Sequence, residues 1–218
     1  MGFNLASESM KAKHVLPLKP ESFILLVQSL RNFADKADLI ELWLDEMRVK
    51  GDLKVIINTF KKPFIGKSAS LDMLKRASTA GMEYLDVPHD LKVDNEFLTL
   101  VTNKKTKIIR SYHNFEETPS KNELIEILNT MQKDKPNLLK IATFVKTQED
   151  AQTLLDLLSE PQFKDRLIIT GMGNLAREVR IKAPLLGSIF YYAPVKGTKA
   201  SAPGQLTKEE LEKEWEVH

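Results

Sequence analysis

Apolar residues recur along the chain in short runs of five to eight positions, separated by longer stretches with helical spacing. Eight runs are predicted as strands, at residues 14–18, 38–44, 53–60, 82–87, 106–112, 138–144, 166–170 and 188–192. Between the first two, Phe23, Leu26 and Leu30 recur three to four positions apart, which is typical of one helix face. Strands that alternate with helices predict a parallel sheet, and eight such units favour closure into a single-domain (β/α)8 TIM barrel.

The boundaries of this barrel follow from the same pattern. Residues 1–13 are polar and irregular and are predicted as an N-terminal arm, with the barrel spanning residues 14–218. An open doubly wound sheet is the alternative, but a Gly-rich phosphate turn, G-x-G-x-x-G, is missing after the first strand. Thr118 with Pro119 is the predicted start of the helix that follows the fifth strand.

Composition narrows the classes of function. The chain has 218 residues, 42% hydrophobic and 28% charged, with a formal net charge of +2, which gives no reason to expect nucleic acid or a membrane as partner. It has no cysteine, which excludes thiolate metal sites and a cysteine nucleophile. Four histidines are present, and no two have a metal-ligand spacing. Without a signal-peptide pattern or a membrane-length apolar run, we expect a cytoplasmic enzyme that needs no metal or organic cofactor.

The residue with the clearest chemical potential is Lys140, which interrupts an apolar strand. Burial disfavours an ammonium, so we expect the pKa of Lys140 to fall and its neutral amine to become available for an imine with a ketone. The alternatives are a lysine whose head reaches solvent and a lysine paired with Glu41, the acid inside the second strand.

Other candidates lie near predicted strand ends, where barrels carry their active sites. His113 ends the fifth strand and could move protons near neutral pH, or it could be a hydrogen-bonded structural residue. Arg180 could clamp a carboxylate, or it could be a solvated helix arginine. The loop from Ser201 to Gln205 could close over a ligand, or it could be an ordinary loop.

Three motifs in order carry a family resemblance: residues 111–115 (SYHNF) with Thr118 and Pro119, residues 140–142 (KIA), and residues 200–205 (ASAPGQ). Together they resemble the type I 3-dehydroquinate dehydratases of the shikimate pathway, along nearly the whole predicted barrel. The resemblance implies that Lys140 forms an imine with the substrate ketone and that His113 acts as general base and then general acid. Loss of water and imine hydrolysis would then turn 3-dehydroquinate into 3-dehydroshikimate.

The resemblance also implies a substrate shell. Arg180 matches the residue that binds the substrate carboxylate, with Arg177 as the second choice. The further implied contacts are Glu41, Lys61, Ser201, Gln205, Met172 and Phe115. Members of this family commonly form homodimers, so the resemblance implies a possible homodimer.

The sequence departs from the family pattern inside the site. Trp43 stands where the family has an arginine two residues after the glutamate, and Lys61 stands for a second arginine. The glutamate that supports the catalytic histidine is matched by Ile65, and Pro88 displaces an acid at the end of the fourth strand. Three hypotheses therefore remain: an active dehydratase, a non-catalytic relative that binds a quinate-like ligand or another partner, and an aldolase-like enzyme. Retention of both His113 and Lys140 favours the first.

Overall fold

The computed structural model describes residues 12–47, 51–202 and 204–217. Its strands are β1 (Lys13–Leu18), β2 (Leu39–Trp43), β3 (Phe64–Lys67), β4 (Tyr84–Pro88), β5 (Lys107–Asn114), β6 (Leu138–Phe144), β7 (Leu167–Met172) and β8 (Phe190–Tyr192). All eight belong to one sheet in the order β7-β6-β5-β4-β3-β2-β1-β8, and every strand pair is parallel. The backbone N–H of Ile189, just before β8, donates to the carbonyl of Leu167 in β7 at 3.0 Å. This bond joins the two ends of the sheet, and the predicted (β/α)8 barrel is confirmed.

Helices alternate with the strands and cover the outside of the barrel. They are α1 (Phe23–Phe33), α2 (Leu53–Phe60), α3 (Leu71–Ala80), α4 (Asn95–Lys104), α5 (Lys121–Met131), α6 (Gln148–Asp156), α7 (Arg177–Leu185) and α8 (Lys208–Val217). The predicted arm lies almost wholly outside the described residues, although Lys13 already belongs to β1. Among the described residues, no helix is long and apolar enough to cross a membrane.

The third predicted strand is wrong. Residues 53–60 form α2, and the strand is the next segment, Phe64–Lys67. The buried positions of α2 explain the error: Leu53 and Ile56 are buried, Ile57 is half-buried, and Val55 is exposed, which is helical rather than alternating spacing. The apolar composition of the run concealed this periodicity.

The predicted start of α5 is also wrong by two residues. Ser120 is the N-cap and forms a capping box with Glu123. The hydroxyl of Thr118 contacts that of Thr143 at 2.8 Å and donates to the carbonyl of Phe144 at 2.9 Å. Thr118 therefore fastens the β5–α5 loop to the end of β6, and its side chain is not available to the helix.

A layer of apolar side chains fills the barrel interior towards the amino ends of the strands. We call this the apolar layer; it comprises Val15, Leu39, Ile65, Tyr84, Ile109, Leu138, Ile168 and Phe190. Three further apolar clusters of described residues lie between the strands and the surrounding helices. The barrel is thus sealed below the site described next.

Candidate active site

Polar side chains replace apolar ones one step further along the strands. Successive side chains of a strand alternate between faces, so a residue two positions after a member of the apolar layer also points into the barrel. On β2 to β6 those positions hold the residues that we call the polar layer: Glu41, Lys67, Asp86, Ser111 and Lys140. The layer lies towards the carboxyl ends of the strands, where barrel enzymes place their chemistry.

Lys140 lies at the centre of the polar layer. Its side chain is 4% exposed, and Nζ donates to Oδ2 of Asp86 at 2.8 Å and to Oε2 of Glu41 at 3.2 Å. Nζ also lies 4.0 Å from the ring centre of Tyr192. Burial alone would lower the pKa of Lys140, but the two carboxylates outweigh it and raise this pKa well above its usual value. The expected fall in the pKa of Lys140 is therefore wrong, and the pairing with Glu41 is present.

Asp86 connects the members of the polar layer. It is fully buried, Oδ1 accepts a hydrogen bond from the hydroxyl of Ser111 at 2.5 Å, and Oδ2 faces Lys140. Nζ of Lys67 lies 3.7 Å from the same Oδ2. Burial alone would raise the pKa of Asp86, but the ammonium groups of Lys140 and Lys67 hold it well below its usual value. Sequence reasoning missed this residue, although an acid inside the apolar run of β4 was the available signal.

His113 follows Ser111 on the inward face of β5, and its register partner on β6 is Ala142, two residues after Lys140. Its ring stacks on Phe115, with centroids 6.1 Å apart and planes 16° from parallel. Nε2 lies 2.9 Å from Nζ of Lys67. Burial, and then the charge of Lys67, lower the pKa of His113 to about 3, so the imidazole is neutral at physiological pH.

The cation at the end of the third strand is Lys67, and Lys61 does not reach the site. Lys61 is exposed and follows the last residue of α2, at the amino end of β3 and hence at the opposite mouth of the barrel. Ile65, which sequence reasoning matched to the histidine's glutamate, belongs to the apolar layer. Both differences follow from the misplaced third strand. Burial, with help from the charge of Lys140, lowers the pKa of Lys67.

Trp43 occupies the inward position after Glu41 on β2 and links the polar layer to the surface. Its Nε1–H donates to Oε1 of Glu41 at 3.0 Å. Nζ of Lys19 lies 3.6 Å from the Trp43 ring centre and donates to the carbonyl of Ser201 at 2.9 Å. The tryptophan therefore orients one buried carboxylate and carries a cation that contacts the predicted lid.

The lid segment is joined to the barrel by hydrogen bonds and by one close approach. The side-chain oxygen of Gln205 accepts from the backbone N–H and the hydroxyl of Ser201 at 2.8 and 3.1 Å, and its amide donates to the carbonyl of Tyr192 at 3.1 Å. Gly204 has φ +67°, and a Cβ there would lie 2.6 Å from the carbonyl oxygen of Gly173. A side chain at Gly204 would push the lid off the turn after β7.

The remaining candidates differ in burial and in position. Arg180 on α7 is 7% exposed, and burial lowers its pKa to about 10. It lines a small cavity together with Ile169, Thr170, Pro184, Tyr191, Tyr192 and Leu211. Met172 ends β7 and is buried. Phe115 is 65% exposed. Arg177, the second choice, makes an ion pair with Glu214 at 2.6 Å on the outer surface.

Pro88 ends β4 and presents no acid to the site. Its carbonyl accepts a hydrogen bond from Arg110 Nη1 at 2.9 Å, and Nη2 of the same arginine donates to the carbonyl of Leu91. The acid of β4 that does reach the polar layer is Asp86, two residues before Pro88. The strand therefore keeps a carboxylate in the site despite the proline.

Fold and site together define a (β/α)8 barrel with a buried lysine and an adjacent histidine at its carboxyl mouth. The sequence model described as type I 3-dehydroquinase matches residues 5–217, and the chain belongs to this family. A 3-dehydroquinate dehydratase from Methanocaldococcus jannaschii is 27% identical over 217 residues, which cover 93% of this chain and 97% of that protein. One from Coxiella burnetii is 37% identical over 144 residues, 66% of this chain, and the match spans only 60% of that protein's length.

Solved structures agree on the fold. The crystal structure of a type I 3-dehydroquinate dehydratase from Clostridium difficile has a TM-score of 0.82 with 22% identity, covering 95% of this chain and 92% of that one. The 3-dehydroquinate dehydratase of Geobacillus kaustophilus has a TM-score of 0.78 with 19% identity, over 94% and 90% of the two chains. At these identities the likeness concerns the barrel alone.

Proposed function

We propose that the protein dehydrates 3-dehydroquinate to 3-dehydroshikimate through an imine on Lys140. The observation that carries the proposal is the buried amine of Lys140, held 2.8 and 3.2 Å from two carboxylates, with His113 on the neighbouring strand. A relative that only binds its ligand has no need for an amine and an imidazole side by side in a barrel. Family membership supports the same reaction.

The first stage joins Lys140 to the substrate. In the free site Lys140 is an ammonium, so it must give a proton to a neighbouring carboxylate or to water before its lone pair attacks the ketone carbon. Asp86 and Glu41 are the carboxylates within hydrogen-bond distance. The carbinolamine that forms takes this proton back on its hydroxyl group, loses water and becomes an iminium, whose positive charge is stabilised by the two carboxylates.

The second stage eliminates the hydroxyl group. His113 removes a proton from the carbon next to the iminium, and the C–H electron pair moves into the iminium, which becomes an enamine. The enamine expels the hydroxide, which takes the proton from His113 and leaves as water. Hydrolysis of the conjugated iminium returns the Lys140 amine and releases the enone product. A neutral His113 is the form that this step requires, and its lowered pKa supplies it at physiological pH.

Substrate orientation falls to the residues around this centre. Arg180 is our choice for the substrate carboxylate because a guanidinium can bind both oxygens in one plane. Ser201 and Gln205 close the mouth, Met172 and Phe115 line it, and Glu41 serves both a substrate hydroxyl and the Lys140 amine. We further propose that the enzyme works in the cytoplasm and that it forms a homodimer. Light scattering of the purified protein tests the homodimer.

The direct test is an absorbance assay for the conjugated enone after mixing purified protein with 3-dehydroquinate. We expect product to accumulate catalytically, over many turnovers per chain. A protein that binds the substrate but releases no enone would overturn the proposed reaction. That outcome would favour the quinate-binding alternative.

A further inference from the structure

His113, the proposed base, contacts the amine of a second lysine, Lys67. Nζ of Lys67 lies 2.9 Å from Nε2 of His113, within hydrogen-bond distance. A neutral imidazole has one nitrogen that can accept a proton, the other being already protonated. An ammonium that donates to Nε2 fixes the proton on Nδ1 and occupies the only lone pair with which His113 could act as a base.

The carboxylates of Asp86 and Glu41 favour an ammonium at Lys67, whereas burial and the neighbouring cations lower its pKa. The geometry fits the ammonium, because Nζ contacts both a carboxylate and Nε2 of His113. Nζ of Lys67 lies 3.7 Å from Oδ2 of Asp86 on β4, and the neighbouring cations are Lys140 on β6 and Lys19 after β1. With Glu41 on β2, the layer holds two carboxylates against the ammonium groups of Lys67 and Lys140. These charges balance when His113 is neutral.

The same contacts define the surroundings of His113. The charged and titratable groups that act on it are Lys67 on β3, Asp86 on β4, Lys140 on β6 and His89 just after β4. Burial and Lys67 have the largest influence, and both disfavour the imidazolium. Asp86 favours it, but this carboxylate already accepts from Ser111 and Lys140.

We propose that Lys67 is a positioning residue that masks the proton acceptor of His113 in the free site and is drawn off it by an anionic or polyhydroxylated ligand. The oxygens of such a ligand compete for the Nζ–H groups, and the lone pair of Nε2 then becomes available. A neutral ketone without those oxygens could reach Lys140 and form an imine, but it would leave His113 masked. The site would thus deprotonate only those ketones that also engage Lys67. The last step rests on the proposed function, whereas the masking is a property of the free protein.

The test of masking is an NMR titration of His113 in the free protein. We expect the wild type to carry its imidazole proton on Nδ1 and to titrate far below 6.5. Lys67→Met removes the cation at similar side-chain volume and should raise the pKa of His113 by at least about one pH unit. Lys67→Arg keeps the charge and should leave the pKa low. Lys54→Met, an exposed lysine of α2, is the matched control and should change nothing.

The test of release uses quinate, an anionic analogue that lacks the ketone, with cyclohexanone as the neutral probe. Quinate should raise the pKa of His113 in the wild type by about one unit and should have no such effect in Lys67→Met. Cyclohexanone should not change it in either protein. A wild-type His113 with its proton on Nε2, or a pKa unchanged by Lys67→Met, would overturn the masking. An effect of quinate that persists in Lys67→Met would overturn the release.

Activity supplies a readout that a purely structural role of Lys67 would not change. Because the base must be neutral, a higher pKa of His113 should move the acid limb of the kcat/KM profile of Lys67→Met to higher pH by the same amount. Lys67→Arg should restore the wild-type limb. If the wild type makes no enone at any pH, the proposed function fails, while the NMR result still decides whether Lys67 masks His113.

Discussion

Two layers of the same barrel differ by two residues along each strand. In the apolar layer, Ile65, Tyr84 and Leu138 carry no charge themselves, whereas the next inward positions on those strands are Lys67, Asp86 and Lys140. Both layers are buried, except that the side chain of Lys67 in the polar layer is 14% exposed. Since the backbone and the burial are alike, what separates a core layer from a reactive layer here is the identity of the side chains alone.

The comparison shows that the polar layer carries the free-energy cost of buried charge. Burying apolar side chains stabilises the barrel, whereas burying two ammonium groups and two carboxylates requires each charge to be paired and hydrogen-bonded. The polar layer meets that requirement through Asp86, which contacts Ser111, Lys140 and Lys67 together. Substitutions should therefore affect chemistry in one layer and only stability in the other.

The largest effect should come from Lys140→Ala. Without the amine no imine can form, so kcat/KM for 3-dehydroquinate should fall by at least about 10⁴-fold. The enone assay measures this loss, circular dichroism verifies that the variant is folded, and the exposed Lys164→Ala is the control. Residual turnover within tenfold of wild type would remove Lys140 from the mechanism.

Asp86→Asn should cost the most stability within the polar layer. It leaves Lys67 and Lys140 with Glu41 as the remaining carboxylate of the polar layer, and breaking a buried ion pair costs roughly 3–5 kcal/mol. Denaturant unfolding measures the free energy, with the exposed Asp90→Asn as control. The pKa of Lys140 should also be lower in this variant, because the carboxylate that raises it most is gone. An unchanged free energy of unfolding would show that Asp86 is not the electrostatic centre of the layer.

Ile168→Ala makes the reciprocal test in the apolar layer. The side chain is fully buried, so truncation should lower the free energy of unfolding by roughly 2–5 kcal/mol. The folded variant should still form the Lys140 imine at a rate close to wild type. Ile24→Ala, on an exposed face of α1, is the control for the loss of side-chain volume. A large loss of imine formation at full foldedness would mean that the two layers are not separable.

The smallest effect should come from Trp43→Phe. The change keeps an aromatic ring beside Lys19 but removes the hydrogen bond to Glu41, which is worth roughly 1.5–3 kcal/mol for a charged acceptor and less if water replaces the indole. We expect kcat/KM to fall by about tenfold. Trp215→Phe is the control. It removes an indole hydrogen bond to the carbonyl of Ile181 on α7 and should leave kcat/KM unchanged. Equal effects of the two changes would deny Trp43 a specific role.

Much of the fold could be predicted from the sequence because most runs have one dominant periodicity. Residues 138–144 were predicted as a strand and form β6 with the same bounds. The strand prediction for residues 53–60 was wrong because four apolar residues at helical spacing were taken for a continuous strand. That one error shifted the third strand and with it two site positions.

The site was only partly predictable, since contacts across strands depend on register. His113 and Lys140 stood out by motif, whereas the contacts of Lys67 and Asp86 with them depend on the register of β3 to β6. The predicted fall in the pKa of Lys140 was wrong for the same reason. Burial alone lowers this pKa, whereas the carboxylates of two other strands raise it. No local pattern contains that information.

The most direct test of the central claim is the position of the trapped imine. Lys67 and Lys140 both face Asp86, and Lys67 is the lysine with the lowered pKa, so either amine is a chemical candidate. We would add borohydride to the protein with 3-dehydroquinate and map the reduced adduct by peptide mass spectrometry. A label on Lys140, retained in Lys67→Met and lost in Lys140→Ala, is the predicted result. A label on Lys67, or none at all, would contradict the assignment of Lys140 as the reactive amine.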